Sequence, residues 1–142
     1  MKKVLIVNAN YYTDISSKLV FSAKNLFKKN KIKHKIVNVP GVFEIPFTLR
    51  KYIKKFDGFV VLGCVIKGET PHFVLISKST FDAIIKISIT YNKPITNGII
   101  TCYSMKQAIQ RSLLSRKTRK PNKGHEASSA IISLFKNEPK NL

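Results

Sequence analysis

Phe59-Val60-Val61-Leu62-Gly63-Cys64-Val65-Ile66 runs directly into Lys67-Gly68-Glu69-Thr70-Pro71-His72. The first stretch carries no charge and no polar–apolar alternation, which is the pattern of a strand covered on both faces in a parallel sheet. The second stretch breaks it with a glycine and then offers helix-start chemistry. Thr70 suits an N-cap and Pro71 suits the first helical position, where its missing N–H costs little. Beyond it Val74, Phe81, Ile84, Ile85 and Ile89 carry a helix.

The same strand-to-helix change repeats on either side. Val4 to Val7 is a short apolar run, followed by Ile15, Leu19, Ala23, Leu26 and Phe27 at helical spacing, with Thr13 or Asp14 as the expected cap. A second strand is read over 32–39, where Ile32, Ile36, Val37 and Val39 are apolar, and Pro40-Gly41 turns the chain. A helix follows with Ile45, Leu49, Tyr52 and Ile53 on one face and Pro46 near its start. Downstream, 94–101 reads as a fourth strand, and Ser104-Met105-Lys106-Gln107 as a capping box opening a helix. A last helix is expected over 123–136 with Ala127, Ala130, Ile131 and Leu134 inward, after a basic, exposed connection over 115–121. No repeat and no second domain interrupts the pattern, so 1–142 reads as one α/β domain: a parallel sheet with helices on both faces and right-handed crossovers. Ligands bind such sheets outside the carboxyl ends of the strands, which gathers the loops starting at Asn10, Pro40, Val65 and Thr101.

Composition narrows the function classes. Of 142 residues 44% are hydrophobic, enough for one core. No apolar run approaches the ~20 residues of a membrane helix. The short apolar run after Met1-Lys2-Lys3 lacks the length and cleavage site of a signal peptide, so a cytoplasmic location is expected. Cys64 and Cys102 form no Cys-x-x-Cys, and three scattered histidines give no metal-site spacing. Both cysteines end apolar runs and read as small core residues. The formal charge of +19 raises the possibility of a nucleic-acid-binding protein. The lysines are nevertheless spread along the whole chain, and their excess over arginine fits an A/T-biased genome equally well. A nucleic-acid partner is therefore not the first expectation. There is no Walker A, Gly-x-Gly-x-x-Gly or Gly-x-Ser-x-Gly.

Residue by residue, the loop 68–72 is the sharpest candidate. Gly68 permits close backbone approach, and a helix start presents unpaired N–H groups and partial positive charge, together an anion site. Most helix starts bind nothing. His72 sits beside it, and an imidazole exchanges protons near neutral pH. His34 reads as surface and His125 as helix-exposed. Glu44, one of seven acids, could accept hydrogen bonds from a polyol or simply match a helix dipole. Tyr11 and Tyr12 could stack on a heterocycle or be plain loop tyrosines. Arg111 and Lys123, in so basic a chain, would ordinarily be solvated surface.

The blocks Val39-Pro40-Gly41-Val42-Phe43-Glu44-Ile45-Pro46 and 62–73, then Asn97-Gly98-Ile99-Ile100-Thr101, Gln107-Ala108-Ile109-Gln110-Arg111 and Asn122-Lys123-Gly124-His125-Glu126-Ala127, resemble the lumazine synthase family, in family order over nearly the whole chain. The resemblance implies a flavodoxin-like three-layer α/β/α sandwich with a four-stranded parallel sheet, and no cofactor or metal. It also implies condensation of 5-amino-6-(ribitylamino)uracil with 3,4-dihydroxy-2-butanone 4-phosphate to 6,7-dimethyl-8-ribityllumazine, with release of phosphate and water. By the same resemblance Tyr11 would stack on the pyrimidine, and Val42, Phe43 and Glu44 would line the ribityl chain. Cys64, Val65 and Ile66 would hold the heterocycle edge. Gly68, Glu69 and Thr70 would cradle the phosphate with Arg111 as its clamp, and His72 would transfer protons. Asn97, Arg111 and Lys123 would come from a neighbouring subunit, with Lys123 close to the reacting end. Tyr11 replaces the family's usual Phe or Trp, Val74 replaces a frequent acid, and Asn97 replaces a frequent aromatic. Extra length between Arg111 and Asn122, and a start directly at the first strand, imply a pentamer, or a decamer, rather than a sixty-subunit shell. Rival readings are a small basic RNA- or ribosome-associated protein, an enzyme of this fold using another phosphorylated substrate, and a relative that binds flavin or lumazine without turnover.

Overall fold

The computed structural model describes residues 1–114 and 121–140. The expectations for the basic connection over 115–120, and for the extra length there, lie outside the described residues. Chain order is β1 (Lys3–Ala9), α1 (Thr13–Lys29), β2 (Lys33–Val39), a 3-10 turn (Val42–Glu44), α2 (Ile45–Tyr52), β3 (Gly58–Ile66), α3 (His72–Tyr91), β4 (Ile95–Cys102), α4 (Met105–Ser112) and α5 (Lys123–Lys136). The strands form one parallel sheet in the order β2-β1-β3-β4. This is the three-layer α/β/α arrangement expected from the sequence.

Side-chain alternation assigns the two faces. Val4 and Ile6 of β1 and Val60, Leu62 and Cys64 of β3 pack with Leu19, Phe27, Ala108 and Ile131 under α1, α4 and α5. Leu5 and Val7, then Phe59, Val61 and Val65, pack with Leu49, Ile76 and Ile84 under α2 and α3. The central strands β1 and β3 are buried almost throughout, whereas the edge strand β2 exposes Lys33 and Lys35. Charges on an edge discourage pairing with other chains.

Several local expectations are corrected. Neither Thr13 nor Asp14 caps α1. Tyr12 occupies the N-cap without a side-chain bond, and the Thr13 hydroxyl donates to the Asn10 carbonyl instead. Thr70 does not cap α3: Pro71 takes the cap position and His72 is the first helical residue. On α3 the inward residues are Ile76, Thr80 and Ile84, while Val74, Ile85 and Ile89 are exposed and Phe81 is half-buried. The helix is apolar nearly all round, so spacing alone did not select the buried stripe. On α5, Ala127 and Ile131 are buried with Gly124, Ser128 and Ile132, but Ala130 and Leu134 face outward. His34 is half-buried rather than surface, its ring 5.5 Å from that of Phe27, and His125 is half-buried as well.

The capping box at α4 forms in a shifted version. Ser104 Oγ accepts from Gln107 N at 3.3 Å, and Gln107 Oε1 accepts from Tyr103 N at 2.7 Å. The start of α5, which carries Lys123, is fixed by a residue that sequence reading passed over. Asn122 Oδ1 accepts from Gly124 N (2.8 Å) and His125 N (3.1 Å), and its Nδ2 donates to the Ser112 carbonyl (2.9 Å). Thr96 Oγ1 donates to the Ala127 carbonyl (2.8 Å), tying β4 to the same helix.

Gly124 sets how closely α5 approaches α1, because a Cβ there would overlap the Leu19 carbonyl. Backbone cannot yield as a flexible side-chain tip can. Gly124→Ala is expected to cost about 2 kcal/mol through overpacking, lowering Tm by roughly 6–8 °C for a chain of this size. A thermal melt checks this; an unchanged Tm would mean that the two helices slide apart freely.

Candidate active site

Strand order reverses between β1 and β3, and in open α/β sheets that switch point is where a crevice opens at the carboxyl ends. A cavity of about 240 Å³ lies there, lined by Tyr11, Tyr12, Gly41, Val42, Phe43, Cys64, Val65, Ile66, His72 and Ile76. Its floor is the end of β3, where Cys64 and Val65 are buried and Ile66 half-buried. Tyr11 stands at the mouth, 75% exposed, held edge-on against Tyr12 with ring centroids 4.9 Å apart and planes at 82°. Tyr12 is half-buried against the core, and burial followed by the neighbouring Cys64 pushes its phenol above the usual range. One ring is therefore anchored and the other presented.

Phe43, 72% exposed, belongs to the 3-10 turn after Gly41, as do Val42 and Glu44. Glu44 is half-buried and precedes α2, where its carbonyl accepts from the Thr48 hydroxyl at 2.9 Å. A Cβ at Gly41 would meet only Glu44 Oε1, at an ordinary contact distance of 3.4 Å. Across the opening lies the β3–α3 loop with exposed Gly68, Glu69 and Thr70. A Cβ at Gly68 would meet no atom of the chain within 4 Å, so this backbone is open to approach. His72 enters the cavity from the first position of α3. Glu44, Gly68, Glu69 and Thr70 stand outside the cavity's lining.

The remaining candidates lie elsewhere on the chain. Arg111 and Lys123 line a second cavity, of about 380 Å³, with Thr101, Tyr103, Gln107 and Gln110. Both reach the same carboxylate: Arg111 Nη2 is 3.0 Å from Glu126 Oε2 and Lys123 Nζ is 3.6 Å from Glu126 Oε1. Asn97 lies in a third, about 200 Å³, among Phe81, Ile84, Ile85 and Ile89 of α3, with its Oδ1 accepting from Ile99 N at 2.9 Å. A single chain thus assembles the aromatic, apolar and imidazole groups in one place and holds its candidate cations in another. Gly41 and Ile76 line the first cavity without having been singled out as binding residues, whereas Tyr12 was weighed beside Tyr11 as a stacking ring. The β1 terminus pointed to Tyr12, but nothing local marked Ile76.

Cys64 and Cys102 are free and buried, on adjacent strands. Burial, then the charge and hydrogen bonding of Cys102, push the Cys64 thiol up to about 12. It is no nucleophile at neutral pH, since the thiolate is the reactive form. Iodoacetamide should leave Cys64 unmodified near pH 8 in the folded protein. Because the folded state holds this proton more tightly than the unfolded one, its contribution to stability should fall as pH rises from about 9 to 12. Mass spectrometry after timed alkylation checks the first expectation; rapid labelling in the native state would contradict the buried thiol.

Comparison with known proteins gives the same direction throughout. The sequence profile of the 6,7-dimethyl-8-ribityllumazine synthase family matches residues 1–138. The chain belongs to this family. A 6,7-dimethyl-8-ribityllumazine synthase of Sulfurovum sp. (strain NBC37-1) is 38% identical over 139 residues, covering 94% of this chain and 86% of the relative. The protein of the same name from Campylobacter jejuni (strain 81-176) is 36% identical over 138 residues, covering 94% and 87%. That from Aliarcobacter butzleri (strain RM4018) is 36% identical over 139 residues, covering 94% and 86%. In this chain residues 62–73 run from the end of β3 through a loop to the start of α3, and Cys64, Val65, Ile66 and His72 among them line the switch-point cavity. No described helix is long and apolar enough to cross a membrane.

Proposed function

We propose that the protein catalyses, in the cytoplasm, the condensation of 5-amino-6-(ribitylamino)uracil with 3,4-dihydroxy-2-butanone 4-phosphate to 6,7-dimethyl-8-ribityllumazine, with release of phosphate and water. Membership of the family and the names of its relatives support the reaction. The observation that carries the reading to the residues is the switch-point cavity, which combines an exposed ring, an apolar wall and an imidazole beside a helix start.

The chemistry suits groups of this kind. The pyrimidine's primary amine adds to the ketone and loses water to an imine. Phosphate then leaves, the enol tautomerises, and the ribitylamino nitrogen closes the ring with loss of a second water. No protein nucleophile is needed, which agrees with a raised Cys64 pKa. Holding the two reactants in register supplies much of the acceleration, where favourable intramolecular cases reach ~7–11 kcal/mol. Tyr11 stacks on the pyrimidine. Val42, Phe43 and Glu44 receive the ribityl chain, with the Glu44 carboxylate accepting from its hydroxyls. Cys64, Val65 and Ile66 hold the heterocycle edge through backbone groups. Gly68, Glu69 and Thr70 cradle the phosphate with backbone N–H groups and the Thr70 hydroxyl, and His72 carries protons.

Arg111, Lys123 and Asn97 complete the site from a neighbouring copy, because they line other cavities of their own chain. Exposed Phe43, Phe47, Leu75 and Ile89 give the helical face an apolar character suited to that contact. The assembly is a homopentamer. Mixing purified protein with both substrates and following lumazine fluorescence tests the activity; a rate equal to the uncatalysed background would overturn it. Light scattering tests the assembly, with the mass of five chains expected and a sixty-chain shell contradicting it.

A further inference from the structure

The fold gathers charge that the sequence disperses. Parallel strands all begin at one pole of the sheet, and the helices that return antiparallel to them end there. At this pole, opposite the cavity, lie exposed Lys28, Lys29, Lys31 and Lys33 from the α1–β2 connection, and Lys54 and Lys55 after α2. The starts of β1 and β4 and the end of α5 add further lysines. Among the described residues the acids there are Asp57 and Glu138. Asp57 Oδ2 accepts from Lys3 N at 2.8 Å, and Glu138 lies 3.5 Å from Lys2 Nζ. The helix carboxyl termini at this pole each carry about half a negative charge and so offset only roughly two of these cations. At the cavity pole Asp14, Glu44, Glu69 and Glu126 interleave with Lys67, Lys106, Arg111 and Lys123.

We propose that this lysine pole is a docking face for the phosphate backbone of a nucleic-acid duplex. Lysines act as point charges toward phosphate and carry no base code, so the expected binding is non-specific. The aromatics at the pole are not available for stacking. Phe56 is buried and lies under Lys3 (4.9 Å), Tyr52 is half-buried under Lys51 (5.4 Å), and Phe135 is half-buried under Lys2 (5.4 Å). Single strands are held by exposed stacking rings, whereas the rigid phosphate array of a duplex needs none. The three layers give a face roughly 30 Å across, wide enough to meet several phosphates at one charge per ~1.7 Å of duplex axis. This proposal is independent of the reaction assigned above.

Fluorescence anisotropy with a labelled duplex of about 24 base pairs tests it, using the assembled protein. Contact with roughly four phosphates per chain predicts about 10²-fold weaker binding at 200 mM than at 50 mM salt. The quadruple variant Lys28→Gln, Lys29→Gln, Lys54→Gln, Lys55→Gln should weaken binding at least tenfold more than a control with the same charge change away from this pole and from α3, Lys18→Gln, Lys24→Gln, Lys35→Gln, Lys106→Gln. Both should keep lumazine-forming activity and Tm. Equal weakening by the two quartets would reduce the effect to bulk charge and overturn the proposal. So would equally tight binding of the single strand, of poly-glutamate or of phosphatidylserine vesicles, each of which would assign the face to another partner.

Discussion

Arg111→Ala is expected to lower kcat/KM for the sugar phosphate about 150-fold, mainly through KM. Two charge-assisted bonds to a phosphate are worth about 3 kcal/mol together. At 1.36 kcal/mol per tenfold, that converts to the stated factor. The pyrimidine's KM should change far less, since stacking on Tyr11 and contact with the Val42–Glu44 turn do not involve the guanidinium. Steady-state kinetics with each substrate varied in turn check this; an unchanged KM for the sugar phosphate would remove Arg111 from the site. In the single chain Arg111 is paired with Glu126, which also draws in Lys123. Losing the arginine therefore leaves Glu126 with Lys123 as its partner, and the two effects separate in an Arg111→Lys variant that keeps the charge and loses the bidentate fork.

His72→Ala is expected to reduce kcat about 10²-fold while leaving both KM values nearly unchanged, the usual contribution of a positioned proton carrier. Turnover should persist above background, because orientation of the reactants does not pass through the imidazole. A kcat equal to that of the parent would exclude His72 from proton transfer. The two variants also test the proposal that neighbouring chains share the site. His72→Ala chains mixed with Arg111→Ala chains, dissociated and reassembled, should regain roughly one quarter of parent activity, since random neighbours in a ring restore that share of intact interfaces. Failure to regain any activity, with assembly intact, would place both groups in one chain's site.

The fold was legible because its signals were long and continuous. The uncharged run 59–66 reads as a strand covered on both sides, and Pro40-Gly41 and Ser104 mark a turn and a helix start that the structure keeps. Strand order was not written in the residues, yet the rule that ligands sit at carboxyl ends located the cavity before any order was known. Finer features failed where chemistry was ambiguous. Thr70 has the hydroxyl of a cap, but Pro71 takes that place. On α3, apolar residues surround the axis, and the buried set Ile76, Thr80 and Ile84 cannot be chosen without knowing where the sheet lies. Asn122 was readable and was overlooked: an asparagine directly before a helical stretch is a cap signal, and here it fixes the turn that presents Lys123. The even spacing of lysine in sequence concealed that Lys28, Lys29, Lys31, Lys33, Lys54 and Lys55 meet at one pole, because the turns between returning helices and strands fall at that end.

Strand β1 sits between β2 and β3 although it is made first. During synthesis its β3-facing edge must wait for residues 58–66, at roughly 5–20 residues per second a delay of several seconds. The wall of the switch-point cavity is finished with β3, before Arg111 and Lys123 are made. A chain cut short after β4 would lose Ala108, Ala127 and Ile131, which cover one face of the sheet, so the cavity and the candidate cations are kept or lost together.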